Sequence, residues 1–424
     1  MQILVVGGGG REHAICRALA KSARVTKLYC APGNGGISQV AECVPIAATD
    51  IGALVRFAVE KSLGLVMVAS DDPLALGLVN ELEAAGIRAF GPRREAAVIE
   101  SSKAFSKSLM KKYNIPTARY ETFTDLEAAL RYVRAEGAPI VVKADGLALG
   151  KGVTVARTVA EAETALREMM EGAKFGASGA TVVIEECMEG REATFLAFTD
   201  GGTVVTMPTA QDHKRAFDGD LGPNTGGMGA VCPNPQYSPE LEELCMRTIF
   251  RPTIDAMNAE GRRFRGVIYF ELMLTPAGPR VIEYNARFGD PEAQAILPLL
   301  KTDLLDVFDA VIDGRLADIA IEWEDGASCC VVMASGGYPG DYEKGREIFG
   351  LPDVPDDIIV FHAGTKRGGG AYFTNGGRVL GVTATGTDLP SAIAKAYAGV
   401  SRITWDGVHF RRDIGGRAAD NRNK

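Results

Sequence analysis

The period of apolar and polar positions changes repeatedly along the chain, and each change predicts an element. Gln2–Val6 is an apolar run without a polar face, the pattern of a strand buried on both sides. Gly7–Gly10 interrupts it as a loop. Arg11–Lys21 then places Ile15 and Leu19 at helical spacing. Val25–Cys30 and Leu63–Ala69 repeat the strand pattern, and Leu74–Ala85 reads as a helix. Strands alternating with helices predict a parallel, doubly wound α/β domain over residues 1–101. Ser102–Tyr113 predicts a helix with Phe105, Leu109 and Tyr113 on one face and its lysines elsewhere, as on a solvated surface.

Further on, Ala138–Lys143 and Gly152–Ala156 read as strands flanking D-G-L-A-L-G-K-G. This is not a Walker A loop, because three residues rather than four separate Gly146 from Gly150, and Lys151 is followed by Gly152. A glycine-rich hairpin remains, able to fold over phosphates with its amides and Lys143 or Lys151, although an ordinary hairpin uses the same residues. Thr181–Glu185, Thr194–Phe198 and Thr203–Thr206 continue as strands. Gln211–Ala230 is then a long glycine-rich loop with charges of both signs, too long and too rich in glycine for a core. From Asp325 onward, glycine-rich strands and the helix Leu389–Val400 predict a small α+β domain that closes the chain.

The alternation is clearest over Val281–Gln294, where Glu283 and Asn285 are two residues apart and so share one strand face. Gly266–Leu274 is a strand and Thr275–Pro279 a turn, so the two form a hairpin that sets Glu271 beside Glu283. Carboxylates with an amide oxygen are hard ligands suited to Mg²⁺ rather than Zn²⁺. Arg287 follows, able to neutralise phosphate charge bidentately. A solvated polar strand face would share this spacing.

Composition narrows the class. The 424 residues carry a net charge of -8, which argues against a nucleic-acid binder working through bulk electrostatics. The eight cysteines are scattered without C-x-x-C spacing, so neither zinc nor a disulfide framework is indicated, and free thiols in a reducing cytoplasm fit better. The start lacks the basic n-region of a signal peptide, and no apolar run is long enough to span a bilayer. The Gly7–Gly10 loop fails the dinucleotide fingerprint twice, because position 12 is Glu12 and Cys30-Ala31-Pro32 carries no acid at the end of the second strand. What remains is a helix N-terminus with Arg11 beside it, either an anion site or a tight turn. Pro32–Gly36 ends the next strand on the same sheet edge, where ligands of such folds bind.

Several segments together resemble the glycinamide ribonucleotide synthetases, a family of phosphoribosylamine–glycine ligases in the ATP-grasp superfamily. They are G-G-G-R-E-H-A at Gly8–Ala14, P-G-N-G-G at Pro32–Gly36, S-K-A-F-S-K at Ser102–Lys107 and V-K-A-D-G-L-A-L-G-K-G-V at Val142–Val153. Q-D-H-K-R at Gln211–Arg215, G-P-N-T-G-G-M-G-A at Gly222–Ala230 and E-Y-N-A-R-F-G-D-P-E at Glu283–Glu292 follow in order. G-G-Y-P-G-D-Y, F-H-A-G-T-K and T-N-G-G-R-V-L carry the match through Leu380. The resemblance implies an ATP-grasp domain over 102–325, with a small mobile subdomain near 120–190, and a closing domain over 326–424.

It also implies ATP held by Lys103, Lys143, Gly150, Lys151 and Gly152 at the phosphates. Glu185, Glu186 and Met188 would read adenine, partly by backbone, and Glu192 would meet the ribose. Mg²⁺ or Mn²⁺ would sit on Glu283 and Asn285, with Glu271 as a further ligand. Arg287, Asp212 and Lys214 would position glycine and its acyl phosphate. Gly9, Gly10, Arg11, Asn34, Gly35, Asp212, Asn224, Thr225, Gly226, Gly227 and Asp290 would contact the substrates glycine and 5-phosphoribosylamine. The expected setting is cytoplasmic purine synthesis, without nucleic acid or membrane, and with transient contact to the enzyme that supplies phosphoribosylamine. Two departures stand out. The family's G-P-E is Ser70-Asp71-Asp72 here, with Asp72 keeping an acid, and Glu271 stands on the metal strand where the family often lacks a carboxylate. The first departure leaves open another ATP-grasp ligase with altered substrates, and a non-catalytic nucleotide sensor is a more distant alternative.

Overall fold

The first strand, Gln2–Gly7, runs through the centre of a five-stranded parallel sheet. Its neighbours are Lys27–Pro32, extended by Glu42–Cys43, on one side and Leu65–Val68, extended by Ala89–Phe90, on the other. Chain order reverses at the central strand, so the loops after Gly7, Pro32 and Val68 open at one crevice. This is a computed structural model, and it describes residues 1–147, 152–172, 179–234 and 237–416. The helix expected over Leu74–Ala85 is two helices, Asp71–Ala75 and Leu78–Ala84, because Gly77 between them takes φ +88°.

The sheet is buried on both faces, as its uninterrupted apolar runs require. Leu4 and Val6 pack into one core with Phe250, Phe264 and Phe270, and Ile3 and Val5 into another with Phe288 and Phe308. The phenylalanines come from the central part of the chain, so the parallel sheet and the central domain share cores. That central domain is built on an antiparallel sheet of Val204–Thr206, Arg191–Thr199, Gly266–Thr275 and Gly278–Asn285. A second antiparallel sheet, Tyr120–Phe123, Val182–Glu186, Ile140–Ala144 and Val153–Ala156, lies with helices Leu126–Glu136 and Val159–Met170. Its core is separate and includes Leu130, Val133, Val142, Leu166 and Ile184.

The long segment expected as a loop contains four short strands, Gln211–Asp212, Arg215–Phe217, Leu221–Asn224 and Gly229–Cys232. The last is wholly buried, which corrects the expectation that this stretch is too glycine-rich for core. It pairs with Ala327–Ser335 in the C-terminal sheet, completed by Arg378–Gly386 and Ile358–His362 and packed against helix Leu389–Val400. A Cβ on Gly229 would lie 2.6 Å from the carbonyl oxygen of Cys330, so glycine permits this pairing. Among the described residues no helix is long and apolar enough to cross a membrane.

Candidate active site

The hairpin expected from the alternating strands is present, with Glu271 directly opposite Glu283. Asn285 lies two residues beyond on the same face, and Arg287 turns back to donate from Nη2 to its Oδ1 at 3.1 Å. The same guanidinium is 3.0 Å from Oε1 of Glu100, whose other oxygen accepts from the amide of Ala286 at 2.7 Å. Glu271 is ion-paired with Lys214. Burial opposes the charge of Glu283, but Lys143, Lys214, Lys103 and Arg287 outweigh it and hold the carboxyl below its ordinary value. Among the described residues no three His, Cys, Asp or Glu side chains form a metal site by themselves. The donors that do face one another are two carboxylates and an amide oxygen, each carboxylate charge-matched by a cation. A hard divalent ion that completes its shell with phosphate and water oxygens suits that set.

Across from this hairpin stand two lysines, Lys103 at the start of the helix Lys103–Lys112 and Lys143 on the second sheet. Lys103 donates to the carbonyl of Gly146 at 3.1 Å, and Ser102 caps its helix by accepting from the amide of Phe105. Lys143, 4% exposed, donates to the carbonyl of Ile282 at 3.2 Å, one residue before Glu283. Its ion-pair partner is Glu185 at 3.0 Å, which also takes Lys107 at 2.8 Å. The side chain of Glu185 is therefore engaged in the interior, and Lys107 is buried rather than solvated as its helix suggested. Glu186 binds Arg119 and Arg280, each at 2.9 Å. Met188 is half-buried, Glu192 is exposed opposite Met273, and Gly152 is buried at the head of its strand. Gly150 and Lys151 lie outside the described residues.

The segment from Gln211 supplies the third wall. His213 accepts from the amide of Gly415 at 3.1 Å, and burial lowers it to about 4, so it is a neutral structural residue. Burial, then Glu292, push the carboxyl of Asp212 well up, against the pull of Lys214 and Arg378. Thr225 doubles back, its amide and hydroxyl both donating to the carbonyl of Lys214, and Gly227 donates to Thr225 Oγ1 at 3.0 Å. Gly227 has φ +111°, and a Cβ there would lie 2.6 Å from Asp212 Oδ1. Arg378, from the C-terminal sheet, donates to the carbonyls of Gly226 and Asp290. Asn224, by contrast, is exposed. Asp290 accepts from Gln294 at 2.7 Å. Burial opposes its charge, but Arg378 and Arg11 hold its carboxyl low.

At the parallel-sheet edge the polar groups are largely taken. Oε2 of Glu12 accepts from the amide of Gly9 at 2.6 Å, and its Oε1 pairs with Arg11 Nε at 2.6 Å. Arg11 also donates to the carbonyl of Phe288 at 3.2 Å. Asn34 donates its amide hydrogens to the carbonyls of Gly8 and His362, and its Oδ1 accepts from the amides of Gly36 and Ile37. Gly35 donates to the carbonyl of Thr365 at 3.1 Å. In the Ser70-Asp71-Asp72 departure, Asp71 rather than Asp72 faces the cleft. Burial raises Asp71, but Arg287 and Arg11 overcome it and lower the carboxyl, whereas Asp72 is exposed. Glu12, Asp71, Glu100, Lys107 and Arg378 are the site neighbours that the sequence reading left out. An acid three residues after a glycine N-cap was the available signal for Glu12.

Family models cover nearly all of the chain. Those described as phosphoribosylglycinamide synthetase N domain, ATP-grasp (A) domain and C domain match residues 1–100, 101–293 and 328–417. A phosphoribosylamine–glycine ligase of Halalkalibacterium halodurans is 51% identical, over 99% of this chain and 97% of the relative. One from Caldanaerobacter subterraneus is 47% identical, over 98% of this chain and 99% of its own length. The crystal structure of phosphoribosylamine–glycine ligase from Thermotoga maritima superposes with a TM-score of 0.86 at 33% identity, covering 98% of this chain and all 100% of its own. The biotin carboxylase domain of 2-oxoglutarate carboxylase from Hydrogenobacter thermophilus, solved with MgADP, ADP and bicarbonate, shares the fold at a TM-score of 0.75 and 18% identity, over 96% of this chain and 91% of that one.

Proposed function

The chain belongs to the phosphoribosylglycinamide synthetase family, and from that premise we propose how its residues divide the work. The reaction joins glycine to 5-phosphoribosylamine with ATP, giving glycinamide ribonucleotide, ADP and phosphate in purine biosynthesis. It proceeds in two transfers. A carboxylate oxygen of glycine attacks the γ-phosphorus, the bond to ADP breaks and glycyl phosphate forms. The amine of phosphoribosylamine then attacks the acyl carbon, phosphate leaves and the new amide nitrogen gives up a proton. Both steps call for positioning and charge neutralisation rather than a protein nucleophile.

In this reading Lys103 and Lys143 hold the nucleotide phosphates. The backbone of Glu185–Met188 reads adenine, and Glu192 meets the ribose hydroxyls. Glu283, Asn285 and Glu271 hold the divalent cation, which we take to be Mg²⁺ because every donor is a hard oxygen, a set that also accepts Mn²⁺. Bound there, the cation screens the phosphates and polarises the γ-phosphoryl group. Arg287 and Lys214, with Asp212, position glycine and its acyl phosphate. Asp290 and the Asn224–Gly227 turn border the sugar substrate with Gly9, Gly10, Arg11, Asn34 and Gly35, the last two through backbone shape. The family setting and eight unpaired cysteines support a cytoplasmic location. Transient contact with the enzyme that makes the unstable amine belongs to the same reading.

The hairpin that sets Glu271 opposite Glu283, with Lys214 on Glu271, Lys143 on the carbonyl of Ile282 and Arg287 on Asn285, carries this assignment. The test is ADP release with ATP, Mg²⁺, glycine and phosphoribosylamine formed in situ from ribose 5-phosphate and ammonia, omitting each in turn. Release should need glycine and the sugar amine together. Arg287→Ala should lower kcat by about 10²-fold or more, the size of losing one preorganised charge donor. Full turnover in that variant would remove Arg287 from the mechanism.

A further inference from the structure

One buried cation beside the nucleotide site has no role in the reaction as described. Lys107, on the helix Lys103–Lys112, is 2% exposed. Its Nζ lies 2.8 Å from Oε2 of Glu185 and donates to Oγ1 of Thr117 at 2.7 Å. Thr117 donates in turn to the carbonyl of Val281 at 2.7 Å. The other oxygen of Glu185 is 3.0 Å from Nζ of Lys143, which donates to the carbonyl of Ile282. Two ammonium groups therefore share one buried carboxylate, and both are tied to the strand that presents Glu283.

The sharing has an electrostatic consequence. A buried pair of one cation and one anion is neutral, and it leaves the cation with little attraction for a further anion. A second cation on the same carboxylate takes part of that neutralisation from Lys143, whose remaining carboxylate neighbour is Glu283. A buried cation that is only partly neutralised gains from an arriving anion. Nucleotide phosphates arriving at Lys143 are such an anion. Burial, and after it Lys143, lower Lys107 to about 8 against the pull of Glu185, as expected where two ammonium groups crowd one carboxylate.

We propose that Lys107 is a positioning residue for the nucleotide phosphates: by taking half of Glu185, it leaves Lys143 fixed in direction and incompletely neutralised. The inference rests on Lys143 as a phosphate ligand. Lys107 itself touches no substrate.

The test measures binding of ATP with Mg²⁺ to the full chain by calorimetry, with glycine and sugar absent so that turnover plays no part. Lys107→Met should weaken ATP binding about tenfold, because Glu185 then neutralises Lys143 alone. KM for glycine should stay at the wild-type value. The deciding variant is Lys107→Met combined with Glu185→Gln. Removing the carboxylate charge releases Lys143 and should recover most of the lost affinity, whereas a mere packing role for Lys107 makes a second buried substitution weaken binding further. Circular dichroism reports folding. If Lys107→Met does not fold, Thr117→Val replaces it, removing the second acceptor of Lys107, with an expected two- to threefold (~0.5 kcal/mol) weakening of ATP binding. Wild-type ATP affinity in the folded variant, or no recovery in the double variant, overturns the proposal. A wild-type protein that binds ATP but never releases ADP would instead refute the ligase reading.

Discussion

Two stretches of this chain look alike on paper, each joining glycines to a basic residue: Gly7–Arg11 in the parallel domain and the run from Lys143 to Gly146 in the second sheet. In the structure they are opposites. Arg11 Nε and the Gly9 amide both bond to Glu12, so that loop takes its first counterion from within four residues. Lys143 draws its carboxylate from a different strand, and Glu185 is already shared with Lys107. A glycine run opening a helix is a ready anion site only when no local carboxylate reaches the donors first. What separates the two stretches here is where the counterion comes from.

The contrast can be pressed hardest at Glu283. Glu283→Gln should lower kcat/KM by about 10²–10³-fold, or ~3–4 kcal/mol, in the ADP-release assay, since it removes a carboxylate that its cationic surroundings hold ionised. Activity within a few-fold of wild type would place the phosphoryl chemistry elsewhere. The matching change in the first loop, Glu12→Gln, should show in stability. It strips Arg11 of its counterion and costs about 1–3 kcal/mol in urea denaturation. Inorganic phosphate should restore part of that loss in the variant and little in the wild type. Equal phosphate effects on both proteins would mean that Glu12 does not fill an anion site.

Within one pH unit, a smaller effect concerns the seam between that loop and the C-terminal sheet. The amide of His362 donates to His13 Nδ1 at 2.8 Å, and burial, then His362 and Arg17, lower His13 to about 3. The native state keeps this imidazole neutral while the unfolded chain protonates below its ordinary value of 6.5. Its stabilising contribution is therefore complete above pH 6.5 and is lost as pH falls toward 3, by about 1.4 kcal/mol per pH unit. His13→Gln keeps an acceptor for the His362 amide without titrating. Its stability should fall less steeply than that of wild type between pH 6 and 5, and parallel curves would count against a buried neutral His13.

The hairpin was legible from strand alternation and a short turn, but that turn in regular register would set Glu271 opposite Ile282, and a bulge between the Leu272–Val281 and Glu271–Glu283 pairs is what brings the two acids together. The parallel domain was legible for a similar reason, since only doubly covered strands are apolar throughout. The partners of those acids were hidden. Lys107 sits among other lysines on a helix, and nothing local distinguishes the one that turns inward. Glu100, Asp71 and Arg378 reach the site from separate parts of the chain, so their meeting depends on tertiary packing rather than on spacing. The acid substituting in the Ser70-Asp71-Asp72 departure was read one residue too late, because the start of the helix Asp71–Ala75 turns Asp71 to the cleft and Asp72 to solvent.

The strand Gly229–Cys232 bears on how this polypeptide can be dissected. It belongs to the middle of the chain, yet it lies between Gln211–Asp212 and Ala327–Ser335 in the C-terminal sheet. A fragment beginning after residue 326 would lack it and leave Ser328–Val331 of the buried strand Ala327–Ser335 as a bare sheet edge, while Ala334 and Ser335 keep their pairing with Val408–His409. Such a piece invites edge-to-edge aggregation, and the complementary piece loses the partner that orders the turn beside Lys214. Split-reporter fusions, domain swaps between homologues and truncation mapping would therefore fare better with the 211–232 segment kept in the same polypeptide as the C-terminal sheet than with a cut in the connection before Ala327.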